Sequence, residues 1–480
     1  MIDLERLTLA ELTHKAAAQF KDRLAFATYR EGHICNRITY REWGIRTRQF
    51  GGLLRTLGLH TGDRVLILAE NRPEWPIAYF GAAQGGFVSV PVLPDCSSEQ
   101  IKAIGDHAGI AALCITEKTG PKLTLAGFDP VIPLIYIDTS NEPGGTPASI
   151  LVSIHGRKKS LPLWQEGLER EPTSWFPEIQ EDDLASILYT PGVTGHSKGV
   201  MRSHRNVLFM AQAGCALMHS FPRDRLLSVT PLAHPYECTL GLLAAVMSGA
   251  SITYLDQPST PAAVLSAVQD LRPTIMVTVP SFIENLYRRR IAPALKGHPL
   301  YQFPLTRFLA IKIAGYKLIA ALGSSIRFFG IGGALSHEVE TFLRKVQFPY
   351  APAYGLTETA SLIAGTEPYR FPFGSVGKPL KGVEFRLFSL TGKKILGGPG
   401  TLVEYIEGEI QVHGPPVMLG YYRDPEGTRG AFTADGWFRT GEVGFLDPTG
   451  HLFIRGRLKA LIRGPSGERS YPEEVLLPQP

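Results

Sequence analysis

The chain of 480 residues is 44% hydrophobic and 19% charged, which excludes a disordered chain and, at this length, favours two or three subdomains sharing a large buried core. Its 49 Lys and Arg against 44 Asp and Glu leave a formal charge of only +5, scattered along the sequence, so composition gives no argument for a nucleic-acid partner. Five cysteines, widely spaced and without a Cys-x-x-Cys pair, favour neither a disulfide framework nor a zinc site and fit a reducing cytoplasmic setting.

At the N-terminus, Met1-Ile2-Asp3-Leu4-Glu5-Arg6 runs into a helical pattern with no apolar leader core, and no later stretch approaches the roughly 18 apolar residues of a membrane span. Short β-branched runs at 64–68, 87–92, 134–137, 186–189, 251–254 and 274–279 alternate with helix-length segments. That alternation predicts an α/β body of doubly wound parallel sheets covered on both faces. From about residue 375 strand candidates crowd together, at 383–387 and 409–412, and an Asp447-Pro448-Thr449-Gly450 turn joins two more. A smaller β-rich subdomain is expected there.

The segment most suited to chemistry is Tyr189-Thr190-Pro191-Gly192-Val193-Thr194-Gly195-His196-Ser197-Lys198-Gly199-Val200, which follows an apolar strand. Its glycines let backbone approach an anion, and Thr190, Thr194, Ser197 and Lys198 supply donors and a charge. It is not a Walker A loop, because Ser197 and Gly199 flank the lysine where Gly and Ser or Thr are required. Alone, it reads more readily as an ordinary polar turn than as a phosphate loop.

With the Ser203-His204-x-Asn206 that follows, this segment resembles the phosphate loop of the adenylate-forming superfamily: acyl-CoA synthetases, nonribosomal adenylation domains and luciferases. The resemblance implies that Thr190, Gly192, Thr194, Gly195 and Lys198 hold ATP phosphates while a carboxylate attacks the α phosphate. Further segments fall in the family's order. Pro231-Leu232-Ala233-His234-Pro235-Tyr236-Glu237 is similar to the stretch lining the acyl pocket, with His234 beside the reacting carboxylate; a structural histidine is the other reading. Gly330-Ile331-Gly332-Gly333-Ala334 resembles the adenine-side loop, or else is a tight turn. Tyr354-Gly355-Leu356-Thr357-Glu358-Thr359 matches the Tyr-Gly-x-Thr-Glu signature, which implies Tyr354 against adenine, Thr357 on the α phosphate and Glu358 as the Mg²⁺ ligand. The alternative makes Thr357 and Glu358 a helix-start capping pair. Between 408 and 475 stand Gly408-Glu409-Ile410, Gly420-Tyr421-Tyr422, Asp435-Gly436-Trp437 with Thr440-Gly441-Glu442, and Gly456-Arg457-Leu458-Lys459. By resemblance Glu442 accepts from the ribose hydroxyls, Arg457 holds the nucleotide, Lys459 is a hinge and Ser466-Gly467-Glu468 lies beside the CoA channel.

Together with Ala69-Glu70-Asn71-Arg72-Pro73-Glu74-Trp75 and Val279-Pro280-Ser281, the set is most similar to bacterial long-chain fatty-acid CoA ligases. The implied reaction joins a fatty acid to CoA through acyl-AMP, with ATP and Mg²⁺, in the cytoplasm. An acyl carrier protein is the alternative acceptor, and a degenerate nucleotide- and acyl-binding protein is the alternative of another class. Pro191, Val193 and Glu442 depart from the usual Ser, Thr and Asp. Few residues follow Val475 where the family continues into a lid domain of about 100 residues, so the expected architecture lacks that lid: an α/β body over 1–375, a β-rich subdomain over 376–456 and a hinge with stub over 457–480. Finally, an apolar stretch at 305–322 carries Arg307, Lys312 and Lys317 after Arg288-Arg289-Arg290. It reads either as a helix resting on a membrane surface or as a body helix with snorkelling cations.

Overall fold

Runs such as Arg64–Leu68 and Val88–Val92 are apolar without alternation, as strands must be when both faces are covered, and four or five successive side chains in each are buried. The computed structural model describes residues 1–129, 131–138, 149–154, 157–162, 176–190, 197–256, 260–390, 395–397, 405–460, 462–463 and 469–470. It divides into two compact units, the first of Met1–Thr278, Ile319–Arg327 and Met418–Arg423, the second of Val279–Leu318, Phe328–Val417 and Asp424–Pro480.

In the first unit one nine-stranded sheet runs in the order Gly420–Tyr421, Lys198–Ser203, Leu184–Thr190, Val88–Val92, Arg64–Leu68, Ile110–Ile115, Leu134–Tyr136, Ser149–Ile154, Arg157–Pro162. The middle five strands are parallel and the flanking pairs antiparallel. A second run of parallel strands, Leu24–Arg30, Ser251–Leu255, Arg225–Ser228 and Ile275–Thr278, is edged by antiparallel His33–Thr39. Helix Glu74–Gln84 is buried almost all round, the mark of a helix inside the core. Trp75 and Tyr79 stack on it at 5.2 Å, and Phe80 meets Trp43 edge-on at 4.9 Å. Capping boxes start helices Tyr40–Thr56 (Thr39 with Glu42) and Ser98–Ala108 (Ser97 with Gln100).

In the second unit Phe328–Gly332 and Tyr350–Tyr354 pair in parallel, with short antiparallel strands Ala364–Gly365 and Lys378–Pro379 beyond them. The crowded strands form a five-stranded antiparallel sheet ordered Ile395–Gly397, Glu384–Ser389, Gly408–His413, Phe438–Leu446, Leu452–Arg457. The Asp447 turn closes as expected: the Asp447 carboxylate accepts from the amides of Thr449 and His451 at 2.9 and 2.8 Å.

Candidate active site

In the first unit, strands Leu184–Thr190 and Lys198–Ser203 pair antiparallel with Lys198 directly opposite Thr190. The glycine-rich segment therefore leaves and re-enters one ladder at a single point. Thr190 closes a strand of the parallel set, and the loops beyond such carboxyl ends are where open α/β sheets bind ligands. Pro191, Gly192, Val193, Thr194 and Gly195 lie outside the described residues. A side chain at Gly199 would meet Ile187 at 3.0 Å and the Tyr189 ring at 3.1 Å, so this glycine serves the closeness of the hairpin.

Strand Gly420–Tyr421 adds to the far side of Lys198–Ser203, fixed by Leu419 N–H to Met201 O at 2.9 Å and Tyr422 N–H to Gly199 O at 2.7 Å. It carries the Tyr421 ring beneath the Lys198 ammonium, 4.4 Å from the centroid, a cation–π contact that holds the lysine side chain in place. The Ser203-His204-x-Asn206 segment has a structural job. Ser203 and Asn206 form a capping box on helix His204–Met218, and buried His204, pushed down to about 4 by desolvation, accepts the Leu9 amide.

His234 sits on a turn closed by its own amide to Pro231 O at 2.8 Å. Its Nδ1 accepts the Tyr236 amide at 3.3 Å, and burial lowers its pKa. A neutral imidazole results. Sequence reasoning gave Asn71 no role, yet Asn71 pins this turn: its amide donates to Ser228 Oγ at 2.9 Å and Thr230 O at 2.7 Å, and its carbonyl accepts from Leu232 N–H at 2.7 Å. The neighbouring Arg72 pairs with Glu70 at 3.2 Å and buried Glu74 at 2.8 Å. Ser228 in turn donates to Glu237 at 2.5 Å. Glu237 is fully buried and desolvation pushes it up to about 8, so it is a neutral acid at pH 7. It opens the π-helix Glu237–Leu243.

In the second unit, Gly332 and Ala353 are register partners on adjacent parallel strands, so the segments continuing through Gly333-Ala334 and Tyr354-Gly355 leave from neighbouring strand ends. Gly333 has φ 139° and its amide folds back to Ile331 O at 3.0 Å. Gly355 is more constrained: a Cβ there would lie 2.1 Å from Ser361 O and 2.5 Å from Leu362 Cα. The loop after it closes on its own backbone through Ser361 N–H to Leu356 O at 2.9 Å and Ile363 N–H to Tyr354 O at 2.7 Å. Ala360 and Ser361 take φ 48° and 91°, an uncommon region for residues with a Cβ.

The reading of Thr357 and Glu358 as a capping pair fails. Thr359 does that work, its hydroxyl accepting the Leu356 amide at 3.0 Å, which leaves half-buried Thr357 and Glu358 on the short 3₁₀ turn Thr357–Thr359. Tyr354 is buried, and desolvation followed by the nearby Glu442 carboxylate raises its pKa well above the ordinary value. Glu442 stands across the sheet from Arg457, in register, with Nε and Oε1 3.8 Å apart. Gly441 at φ 67° and the Glu442 amide on Thr440 Oγ1 at 3.1 Å aim that carboxylate. Thus Tyr354, Glu442 and Arg457 come together, and Gly332 and Gly333 stand one strand away. Asp435 belongs to scaffolding: Arg386 binds it at 2.6 and 3.1 Å while stacking 4.4 Å over Trp437. That guanidinium holds the Asp435 carboxyl well below the usual carboxylate range. Lys459 lies on the 3₁₀ turn Leu458–Ala460; Ser466, Gly467 and Glu468 lie outside the described residues.

Comparison with known proteins agrees with this geometry. Residues 13–422 match the family described as AMP-binding enzyme. The protein named long chain acyl-CoA synthetase 7, peroxisomal, of Arabidopsis thaliana is 29% identical over 464 residues, covering 91% of this chain and 64% of that protein. This chain thus spans just under two thirds of that relative's length. A long-chain-fatty-acid–CoA ligase of Yersinia pestis is 27% identical, over 99% of this chain and 81% of its own. Among solved structures, O-succinylbenzoate Coenzyme A synthetase of Bacillus subtilis in complex with AMP has a TM-score of 0.71 at 23% identity, covering 97% of this chain and 82% of its own. ATP-bound MatB of Rhodopseudomonas palustris also scores 0.71 at 23%, over 98% and 84%. Sheet order, strand-end loops and family match converge, and the chain belongs to the AMP-binding enzyme family.

Proposed function

We propose that this chain activates a long-chain fatty acid with ATP and passes it to CoA, an AMP-forming acid–thiol ligase. The observation that carries the reading is the grouping of Tyr354, Glu442 and Arg457 around a strand end that also leads into Thr357 and Glu358. An aromatic side chain, a carboxylate and a guanidinium so arranged suit a base, a ribose and a phosphate. Thr190, Gly192, Thr194, Gly195 and Lys198 would hold the β and γ phosphates, Gly332, Gly333 and Ala334 the adenine edge, and His234 the fatty-acid carboxylate.

In the first step a carboxylate oxygen bonds to the α phosphorus and the bond to the β-phosphate oxygen breaks, giving acyl-AMP and pyrophosphate. No base is needed, because the carboxylate is already ionised at pH 7; donors and positive charge are. By the family resemblance Lys198 and Thr357 would supply them, and neutral His234 would donate from Nε2 without adding charge. Glu358 would hold Mg²⁺, since that ion takes one or two carboxylates and otherwise phosphate and water oxygens. A bound ion there would supply charge neutralisation at the phosphates. In the second step the CoA thiolate forms the thioester carbon–sulfur bond, AMP leaves, and the thiol proton goes to solvent. Among the described residues no helix is long and apolar enough to cross a membrane.

Pyrophosphate release with a panel of fatty acids, with and without CoA, tests the reading. CoA-dependent turnover that rises with chain length is expected; release with a carrier protein but not CoA would move the acceptor. Tight nucleotide binding without release would favour a degenerate binding protein, the reading to which Pro191 and Val193 in the phosphate segment point. For the metal, Glu358→Gln should weaken MgATP strongly and metal-free AMP little; equal losses would remove Glu358 from that role.

A further inference from the structure

Between Glu284 and Leu318 the sequence contains no acidic residue but seven Lys or Arg, three of them in Arg288-Arg289-Arg290. The same stretch gathers exposed apolar side chains: Leu305 is 88% exposed, Tyr316 73%, Phe303 63% and Phe308 62%. They are held rather than loose. Thr306 and Arg307 amides return to Phe303 O at 3.1 and 3.0 Å, and Thr306 Oγ1 donates to Leu300 O at 2.8 Å, so the turn presents Phe303 and Leu305 outward. Helix Arg307–Ala321 follows, burying only Ala310, Gly315 and Leu318. Gly315 sets its packing depth, since a Cβ there would stand 2.4 Å from Val346 Cβ. Phe308, Lys312 and Tyr316, spaced by four, share the opposite, exposed face. No ion pair involves Lys312, Lys317, Arg289 or Arg290 among the described residues. The body-helix reading expects cations that snorkel over a covered apolar stripe; here the large apolar side chains stand in solvent with the cations.

We propose that the turn at 303–306 and the outer face of helix Arg307–Ala321 form a docking surface for an anionic lipid bilayer, lying in its interface. The charge pattern selects this occupant. A protein partner or a second copy would meet a surface whose only charged side chains, Arg307, Lys312 and Lys317, are cations, whereas an anionic headgroup layer matches that sign, and exposed Leu and Phe gain by entering the acyl boundary. The inference stands apart from the catalytic reading, because lipid binding needs neither nucleotide nor turnover.

The test is partition of the 480-residue chain onto vesicles of mixed phosphatidylglycerol and phosphatidylcholine against pure phosphatidylcholine, with AMP binding and thermal midpoint followed in parallel. Binding to the anionic vesicles should be at least about tenfold stronger and should fall in high salt. Lys312→Glu with Lys317→Glu should lower it by about fivefold or more per charge, and Leu305→Ser with Phe308→Ser by about tenfold or more, all with unchanged AMP affinity and thermal midpoint. Equal partition onto both vesicle types, no partition at all, or partition unmoved by both pairs of substitutions overturns the proposal. So does a Leu305→Ser, Phe308→Ser protein that changes only from dimer to monomer on a sizing column.

Discussion

The two units fix the segments that follow their candidate strand ends by different means. In the first, Thr190 and Lys198 stand at paired positions of a regular ladder, and the His234 turn is tied down by Asn71 through three hydrogen bonds. In the second, the Gly355-Leu356-Thr357-Glu358 loop that follows strand Tyr350–Tyr354 has no ladder of its own. It is fixed by backbone contact so close that only glycine fits at 355, and by positive φ at Ala360 and Ser361. A ladder tolerates side-chain change because its bonds are main-chain; a loop clamped by steric contact does not.

The largest effect should come from Gly355→Ala, where the colliding atoms are backbone and no rotamer change relieves them. We expect a loss above about 3 kcal/mol in denaturant unfolding, or failure to fold. A cost under about 1 kcal/mol would show that the loop can relax and the contrast between the units is weaker than drawn. Asn71→Ala, which removes partners from the Leu232 amide and Thr230 carbonyl, should cost about 2–4 kcal/mol. It should also weaken fatty-acid binding more than AMP binding, since the turn it frees carries His234 and not the nucleotide residues.

Glu237 gives a pH test confined to the first unit. Its folded pKa, about 8, lies above the ordinary 4.5, so the folded chain keeps a proton that the unfolded chain releases. Its contribution is therefore fully present below about pH 4.5 and is lost as pH rises towards 8. Glu237→Gln keeps an acceptor for Ser228 and cannot ionise; unfolding curves between pH 5 and 8 should flatten in the variant, by on the order of 1–3 kcal/mol across the window. Parallel slopes would mean that Glu237 ionises in the fold. The smallest effect is expected at Arg457, exposed and 3.8 Å from Glu442. Arg457→Met should leave stability within about 0.5 kcal/mol, while AMP affinity falls about tenfold if the side chain holds nucleotide; unchanged affinity would remove it from the site.

Much of this was legible because local pattern and local role coincide. Doubly buried parallel strands write themselves as unbroken apolar runs, and the turn at Asp447-Pro448-Thr449-Gly450 satisfies its backbone within five residues. The roles of Asn71 and Tyr421 were not legible, since their partners lie some 160 and 220 positions away and no short-range pattern encodes a contact made by chain crossover. Nor could sequence separate the capping role of Thr359 from that of its neighbours, because all three residues of Thr357–Thr359 can accept an amide and only the loop's closure selects one. By itself, then, the sequence determined the α/β class, the order of the motifs and the family they match. Tertiary structure decided which side chains meet, that Tyr354 is buried beside Glu442, and that Leu305 and Phe308 stand in water, because burial and long-range contact follow from how distant strands and helices pack.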